Sequence, residues 1–178
     1  MIGKIIKGIG GFYYVDTKSG VFECHAKGLF RNKKEKPLVG DMVEVEEVPD
    51  TEKEMVGQIL RILPRKNELI RPLVSNIDQA ALVFAVKEQE PSFPLIDRFL
   101  LHLEAREIPC MLFFNKRDLL SDCEADYREK MQRIYEKAGI PVYFFQSNTK
   151  EDREEILRLL KGKNTVLSGP SGVGKSSM

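Results

Sequence analysis

The residues best suited to chemistry form a glycine-rich run near the end of the sequence: Gly169, Pro170, Ser171, Gly172, Val173, Gly174, Lys175, Ser176 and Ser177. The run fits G-x-x-x-x-G-K-[ST] and follows a predicted strand, which is the context of a phosphate-binding loop. Its glycines allow several N–H groups to point into one concavity. We expect Lys175 to bind nucleotide phosphates and stabilise the transition state, and Ser176 to ligate Mg²⁺. A flexible Gly/Ser tail is the alternative interpretation.

A second polar group, Asn115, Lys116, Arg117 and Asp118, follows an apolar run that is typical of a buried strand. Open α/β sheets bind ligands at the carboxyl ends of their strands. The Asp118 carboxylate can accept hydrogen bonds from guanine N1–H and the exocyclic amine, whereas adenine would leave it unpaired. Lys116 can lie along the base, and Asn115 can tie this loop to the phosphate-binding loop. We therefore assign all four residues to nucleotide binding.

A third segment, with Ser147 and Asn148, follows the next predicted strand, where GTPases commonly have Ser-Ala-Lys. There a backbone N–H can read the O6 atom of guanine, and a main-chain contact survives the replacement of Ala by Asn. We include both residues in the expected nucleotide site. The alternative is a simple strand-to-helix turn in which Thr149 caps the helix.

The elements that must position these residues alternate between predicted strands and helices. Four strands are predicted, at 78–86, 110–114, 142–145 and 164–168. The first two are apolar runs of the kind that is typical of strands buried on both faces. Helical spacing or capping patterns predict three helices. They span 95–107, 121–138 and 149–161. This alternation predicts βαβ units with a parallel sheet, and hence an α/β P-loop domain over 69–178.

The region before residue 69 contains short β-forming runs separated by turn residues. The runs lie at 4–7, 11–15, 21–26, 42–46 and 55–62. This pattern predicts an all-β barrel of OB type over 1–68, and an SH3-like barrel is the competing fold.

Local charge is more informative than the net charge of +1. One basic segment contains Lys27, Arg31, Lys33, Lys34 and Lys36, and a second group contains Arg61, Arg65, Lys66 and Arg71. Such patches can neutralise RNA phosphates, although lysine-rich loops are also often simply solvated. We assign the first segment to RNA binding.

The cellular setting is indicated by simple features of the sequence. The three cysteines form no C-x-x-C pair, and no apolar run is long enough to span a bilayer. A signal-peptide pattern is not present at the start of the chain. We therefore expect reduced, buried cysteines in a cytoplasmic protein that does not enter a membrane.

The order of the motifs is unusual, because the N-K-R-D segment at 115–118 precedes the phosphate-binding loop at 169–177. The predicted barrel and the residues from Arg71-Pro72 to Gln79, which lead into the α/β domain, add to this order of motifs. Together these features resemble the circularly permuted GTPases of the RsgA (YjeQ or YloQ) family. The resemblance covers essentially the whole chain. It implies an OB domain that contacts 16S rRNA, a permuted domain that binds GTP or GDP with Mg²⁺, and a zinc-binding C-terminal domain. It also implies a cytoplasmic monomer that acts on the 30S subunit late in maturation.

Parts of the family pattern are missing from the sequence. No D-x-x-G motif and no cysteine-rich zinc segment occur in the 178 residues. We therefore expect an incomplete, truncated GTPase domain that hydrolyses GTP poorly. The strand before the phosphate-binding loop should lie at the edge of the sheet, and we expect Zn²⁺ only in the absent C-terminal domain. A non-catalytic rRNA-binding module is the alternative function. An ATP-dependent P-loop kinase is a third, and Asp118 argues against it because its geometry selects guanine.

Overall fold

The structure is a computed structural model in which the chain forms two compact units. It describes residues 1–26, 36–49, 55–87, 92–120, 125–146 and 148–178. The first unit comprises Met1–Ile77 and the second Asp78–Met178. The division after Ile77 is later than the boundary that the sequence suggested after residue 68.

The first unit is built around a closed barrel of five strands. They are β1 (Ile2–Ile9), β2 (Phe12–Thr17), β3 (Gly20–Ala26), β4 (Met42–Glu47) and β5 (Val56–Ile62). The strand order is β1-β2-β3-β5-β4, with β3 and β5 parallel and β1 closing on β4. This order is that of the OB fold, so the predicted OB-type barrel is confirmed and the SH3-like alternative is not.

The core of the barrel follows from the alternation of side chains along its strands. Successive side chains of a strand point to opposite faces, so every second residue can place its side chain in the core of the barrel. The buried residues are Ile5, Val15, Phe22, Cys24, Val43, Val45 and Ile59. These inward positions are the alternating apolar residues from which the sequence predicted the strands.

A short hairpin that the sequence did not predict extends the first unit beyond residue 68. It consists of β6 (Glu68–Ile70) and β7 (Leu73–Ser75). Asp41, which is 0% exposed, joins the hairpin to the barrel region because its Oδ1 atom accepts a 2.6 Å hydrogen bond from the Ser75 hydroxyl. The backbone N–H of Ser75 also donates to the Val39 carbonyl at 2.9 Å. The unit therefore ends after this hairpin.

Two arginines of the second basic group form ion pairs with carboxylates of the barrel unit. Arg65 donates to both oxygens of Asp41, at 2.7 and 2.8 Å, and to Glu68 at 2.6 Å. These hydrogen bonds, with that to Asp41 as the main cause, raise the pKa of the Arg65 guanidinium. Arg61 pairs with Glu44 at 2.6 Å. Both arginines thus form ion pairs within the barrel unit, and a role of the second basic group in binding RNA phosphates stays a prediction.

The second unit contains a four-stranded parallel sheet with three α-helices. The strands are β8 (Gln79–Ala85), β9 (Cys110–Asn115), β10 (Val142–Phe144) and β11 (Thr165–Ser168). The helices are α1 (Phe93–Glu104), α2 (Ala125–Lys137) and α3 (Lys150–Leu160). The sheet order is β10-β9-β8-β11, and every pair is parallel. The predicted α/β domain is confirmed, and β11 lies at an edge of the described sheet.

Two of the predicted helix boundaries can be compared with the structure. Helix α1 ends at Glu104, earlier than the predicted residue 107, and Glu107 has a left-handed φ of 53° that is incompatible with a continuing helix. Thr149 caps α3 as predicted, since its side chain accepts a hydrogen bond from the N–H of Asp152. The predicted helix start at 121–124 lies outside the described residues.

The two described cysteines are not bridged. Cys24 is buried and Cys110 is partly buried, and burial raises the pKa of each thiol to about 11, with a contribution from Glu104 at Cys110. Within the described part of the chain, no helix has the length and apolar character needed to cross a membrane.

Candidate nucleotide-binding site

The three sequence motifs follow strands whose carboxyl ends lie at the same end of the sheet. Because β8 to β11 are parallel neighbours, their carboxyl ends face the same side of the sheet. Residues 115–118 lie at the end of β9, Gln146, Asn148 and Thr149 follow β10, and residues 169–177 follow β11. Except for Gln146, these residues belong to the motifs to which the sequence assigned base recognition and phosphate binding.

The phosphate-binding loop depends on glycine conformations. Gly169 has a φ of +145°, and a Cβ atom there would clash with the Val83 carbonyl oxygen of β8. Gly172 and Gly174 have φ values of 80° and 93°. Left-handed residues of this kind form the concave arrangement of N–H groups that binds anions. The loop therefore has a backbone suited to phosphate, and its close approach to β8 requires glycine at its first position.

Lys175 lies over the beginning of this loop. Its Nζ atom donates hydrogen bonds to the carbonyl oxygens of Gly169, at 3.0 Å, and Pro170, at 2.5 Å. Within the loop, Val173 is fully buried, whereas Ser176 and Ser177 are exposed in a short 3-10 turn. A lysine in this position can transfer its donors from the carbonyl oxygens to phosphate oxygens when a nucleotide enters.

Replacement of Gly169 tests the role of the loop backbone. We expect Gly169→Ala to weaken binding of labelled GDP by about 30- to 150-fold, because the clash with Val83 and a strained φ cost about 2–3 kcal/mol and displace the loop. Gly162→Ala is the matched control: Gly162 has a φ of +76°, and an added methyl group would meet open space, so that only the backbone strain remains. Equal losses in the two variants would contradict the prediction.

Asn115 joins the base-recognition segment to the phosphate-binding loop. Its side chain is buried at the end of β9, and Nδ2 donates a 2.9 Å hydrogen bond to the carbonyl oxygen of Val173. The contact that the sequence predicted between these two motifs is present. It fixes residues 115–118 next to the loop at 169–177.

The remaining residues of N-K-R-D differ in their surroundings. Lys116 has a left-handed φ of 63° and opens a 3-10 turn, Arg117–Leu119, in which Asp118 is exposed. The sequence grouped Arg117 with the nucleotide contacts, but its guanidinium donates to Asp152 at 3.1 Å and to the Phe144 carbonyl at 3.4 Å. The side chain of Arg117 is therefore engaged with the neighbouring segment of the protein.

Asp152 contacts two of the predicted site segments, although the sequence predicted it only as part of the helix at 149–161. It is 7% exposed in the first turn of α3. One of its oxygens accepts from the backbone N–H of Gln146 at 2.6 Å as well as from Arg117. Ser147 lies outside the described residues, and Asn148 is exposed beside it. The sequence carries no local signal of the pairing between Arg117 and Asp152, because the two residues are 35 positions apart.

The metal and RNA assignments have different support in the structure. No group of three or more His, Cys, Asp or Glu side chains in the described ranges could hold a metal ion. The exposed Ser176 hydroxyl fits an Mg²⁺ held chiefly by phosphate oxygens and water. Of the predicted RNA-binding residues, Lys36 is exposed. The other four, Lys27, Arg31, Lys33 and Lys34, lie outside the described residues.

Comparisons with known families agree over both units. The family model of the RsgA GTPase matches residues 62–178, and that of the RsgA N-terminal domain matches residues 2–56. The small ribosomal subunit biogenesis GTPase RsgA of Agathobacter rectalis is 49% identical and that of Alkaliphilus metalliredigens 45% identical. The matches cover 100% and 99% of this chain but 61% and 59% of the relatives. The chain thus spans less than two thirds of their length.

Solved structures show the same architecture. The circularly permuted GTPase YloQ is 40% identical with a TM-score of 0.81, and the match covers 99% of this chain and 62% of YloQ. YjeQ from Thermotoga maritima is 34% identical with a TM-score of 0.85 and the same coverage. The resemblance that the order of the motifs indicated is confirmed, and the chain belongs to the RsgA GTPase family.

Proposed function

We propose that this chain binds GTP and GDP with Mg²⁺ as part of a GTPase. The observation that carries the proposal is the hydrogen bond from Asn115 Nδ2 to the Val173 carbonyl, which joins the two motifs in one site. Membership in the RsgA GTPase family supports the same reaction. A guanine nucleotide needs both motifs, because N-K-R-D would read the base and the loop 169–177 would bind the phosphates.

The proposed roles follow the chemistry of the nucleotide. Asp118 accepts hydrogen bonds from N1–H and the exocyclic amine of guanine, while Lys116 lies along the base. Ser147 and Asn148 provide a backbone N–H to O6. The loop 169–177 surrounds the phosphates, with Lys175 on the β- and γ-phosphates, where it stabilises the developing charge. Ser176 supplies the protein ligand to Mg²⁺, which neutralises phosphate charge when bound.

The proposed setting is the maturation of the small ribosomal subunit. The relatives from Agathobacter rectalis and Alkaliphilus metalliredigens are named small ribosomal subunit biogenesis GTPases. We propose that the chain acts on the 30S subunit in the cytoplasm as a monomer and that its OB barrel contacts 16S rRNA. The segment with Lys27, Arg31, Lys33, Lys34 and Lys36 provides cations for that contact.

Hydrolysis needs more than the residues of this site. The sequence has no D-x-x-G motif to hold Mg²⁺ and sense the γ-phosphate. We therefore propose that these 178 residues by themselves bind nucleotide but hydrolyse GTP slowly. Zn²⁺ belongs in our proposal to the family's C-terminal domain and has no role in the site described here.

The test of nucleotide binding compares labelled GDP with labelled ADP on this chain. We expect GDP to bind at least about 100-fold more tightly, because adenine leaves the Asp118 carboxylate without its donors. Equal affinities for GDP and ADP would contradict the guanine assignment. No binding by a chain shown to be folded would leave RNA binding by the barrel as the better candidate function.

A further inference from the structure

A buried carboxylate connects the two segments assigned to the guanine base. Asp152, in the first turn of α3, accepts a 2.6 Å hydrogen bond from the backbone N–H of Gln146. It also accepts from Arg117 Nη2, at 3.1 Å to Oδ2 and 3.5 Å to Oδ1. Gln146 precedes Ser147 and Asn148, whereas Arg117 lies between Lys116 and Asp118. One carboxylate thus holds a residue of each segment.

Arg117 strengthens the same connection from its own side. Its backbone N–H donates to the Phe145 carbonyl at 3.0 Å, and its Nη1 atom donates to the Phe144 carbonyl at 3.4 Å. The segment that follows β9 is therefore hydrogen-bonded through one residue to the end of β10 and to the start of α3. A change in the position of Arg117 would move Asp118, its immediate neighbour.

We propose that Asp152 is a positioning residue for guanine recognition, which it serves through Arg117 and Gln146 without touching the nucleotide. The inference rests on the proposed guanine site. Recognition of one base by a carboxylate and a backbone N–H from different segments requires both to lie at fixed distances from it. Asp152 is the charged acceptor that sets this separation, and hydrogen bonds to a charged acceptor are stronger than those between neutral groups.

Helix capping alone does not explain a carboxylate at this position. Thr149 already satisfies the N–H of Asp152, and Glu151 places another negative charge in the first turn of α3. Glu151 is exposed, so it contributes favourable charge at the helix N-terminus without a buried link to N-K-R-D. Substitutions at Asp152 and Glu151 therefore distinguish the positioning of the guanine-binding segments from a general effect of charge on the helix.

The test measures the ratio of GDP to ADP affinity in Asp152→Asn, with Glu151→Gln as the matched control. An asparagine retains the size of the side chain but loses its charge. We expect Asp152→Asn to weaken the binding of GDP by about tenfold or more and to change the binding of ADP little. The preference for GDP over ADP should therefore become smaller. Arg117→Gln removes the link from the other side and should contract the ratio similarly. Glu151→Gln should leave the ratio unchanged.

The ratio distinguishes positioning from loss of structure, because general destabilisation would weaken both nucleotides together. Far-ultraviolet circular dichroism checks that each variant is folded. If Asp152→Asn does not fold, the Arg117→Gln variant decides the question. An unchanged ratio in the folded variants, or an equal contraction in Glu151→Gln, would overturn the inference and leave the proposed function intact. A lack of guanine preference in the unsubstituted chain would overturn both.

Discussion

Asp118→Asn should reverse the base preference of the nucleotide site, so that xanthosine diphosphate binds more tightly than GDP. The Asn oxygen can still accept from N1–H, but its amide N–H₂ faces the exocyclic amine of guanine, which is also a donor. Xanthine has an oxygen at that carbon, so the amide can donate to it. A mismatch of buried hydrogen-bonding groups can change selectivity by roughly two to four orders of magnitude.

The measurement is competition of GDP and xanthosine diphosphate against a labelled nucleotide, in the unsubstituted chain and in Asp118→Asn. Asp126→Asn is the control, because Asp126 is an exposed acidic residue in the first turn of α2 and the change in charge is the same. We expect the control to retain the preference for GDP. If Asp118→Asn also retained it, Asp118 would not be the residue that reads the base.

Asp41→Ala should lower the free energy of unfolding of the barrel unit by about 3–5 kcal/mol. Asp41 is fully buried, and four donors converge on its carboxylate: two from Arg65, the Ser75 hydroxyl and the backbone N–H of Leu38. Alanine would leave the Arg65 guanidinium partly buried without its main acceptor. It would also release the hairpin that Ser75 connects to this carboxylate.

Glu44→Ala provides the contrast, because Glu44 forms an ion pair with Arg61 in which the two side chains are 37% and 68% exposed. Pairs exposed to this degree contribute about 0–1 kcal/mol. Hydrogen exchange of barrel peptides at increasing urea concentrations would report the free energy of unfolding for this unit alone. A loss in Asp41→Ala no greater than that in Glu44→Ala would show that the buried network is not a main source of stability.

Local patterns in the sequence predicted most of the fold. Apolar runs predicted β8 and β9 because a strand buried on both faces has few polar positions, and all seven residues of β8 are buried. Alternation predicted the five barrel strands. The cap at Thr149 was visible because it involves residues three positions apart. Each of these features depends on neighbours along the chain.

Features that depend on distant partners were not visible in the same way. Arg65 was interpreted as part of a basic patch, because its partner Asp41 lies 24 residues earlier and the pairing of strands is not readable from either position. The hydrogen bond between Arg117 and Asp152, which are 35 residues apart, was not predicted for the same reason. The hairpin of β6 and β7 was missed because strands of three residues are too short to show alternation.

The position of β11 has a consequence for the order of folding. β11 pairs with β8, and Thr165 lies 86 residues after its hydrogen-bonded neighbour Gln79. We expect contacts at such separation to form late, because the chain must lose conformational entropy before they are made. Gly169 lies against Val83 of β8, so the phosphate-binding loop takes its shape only after this pairing. The base-recognition segment, which depends on β9 and β10, can form earlier. A nucleotide that binds the base-recognition segment and the phosphate-binding loop together would therefore stabilise the state in which β11 is paired with β8.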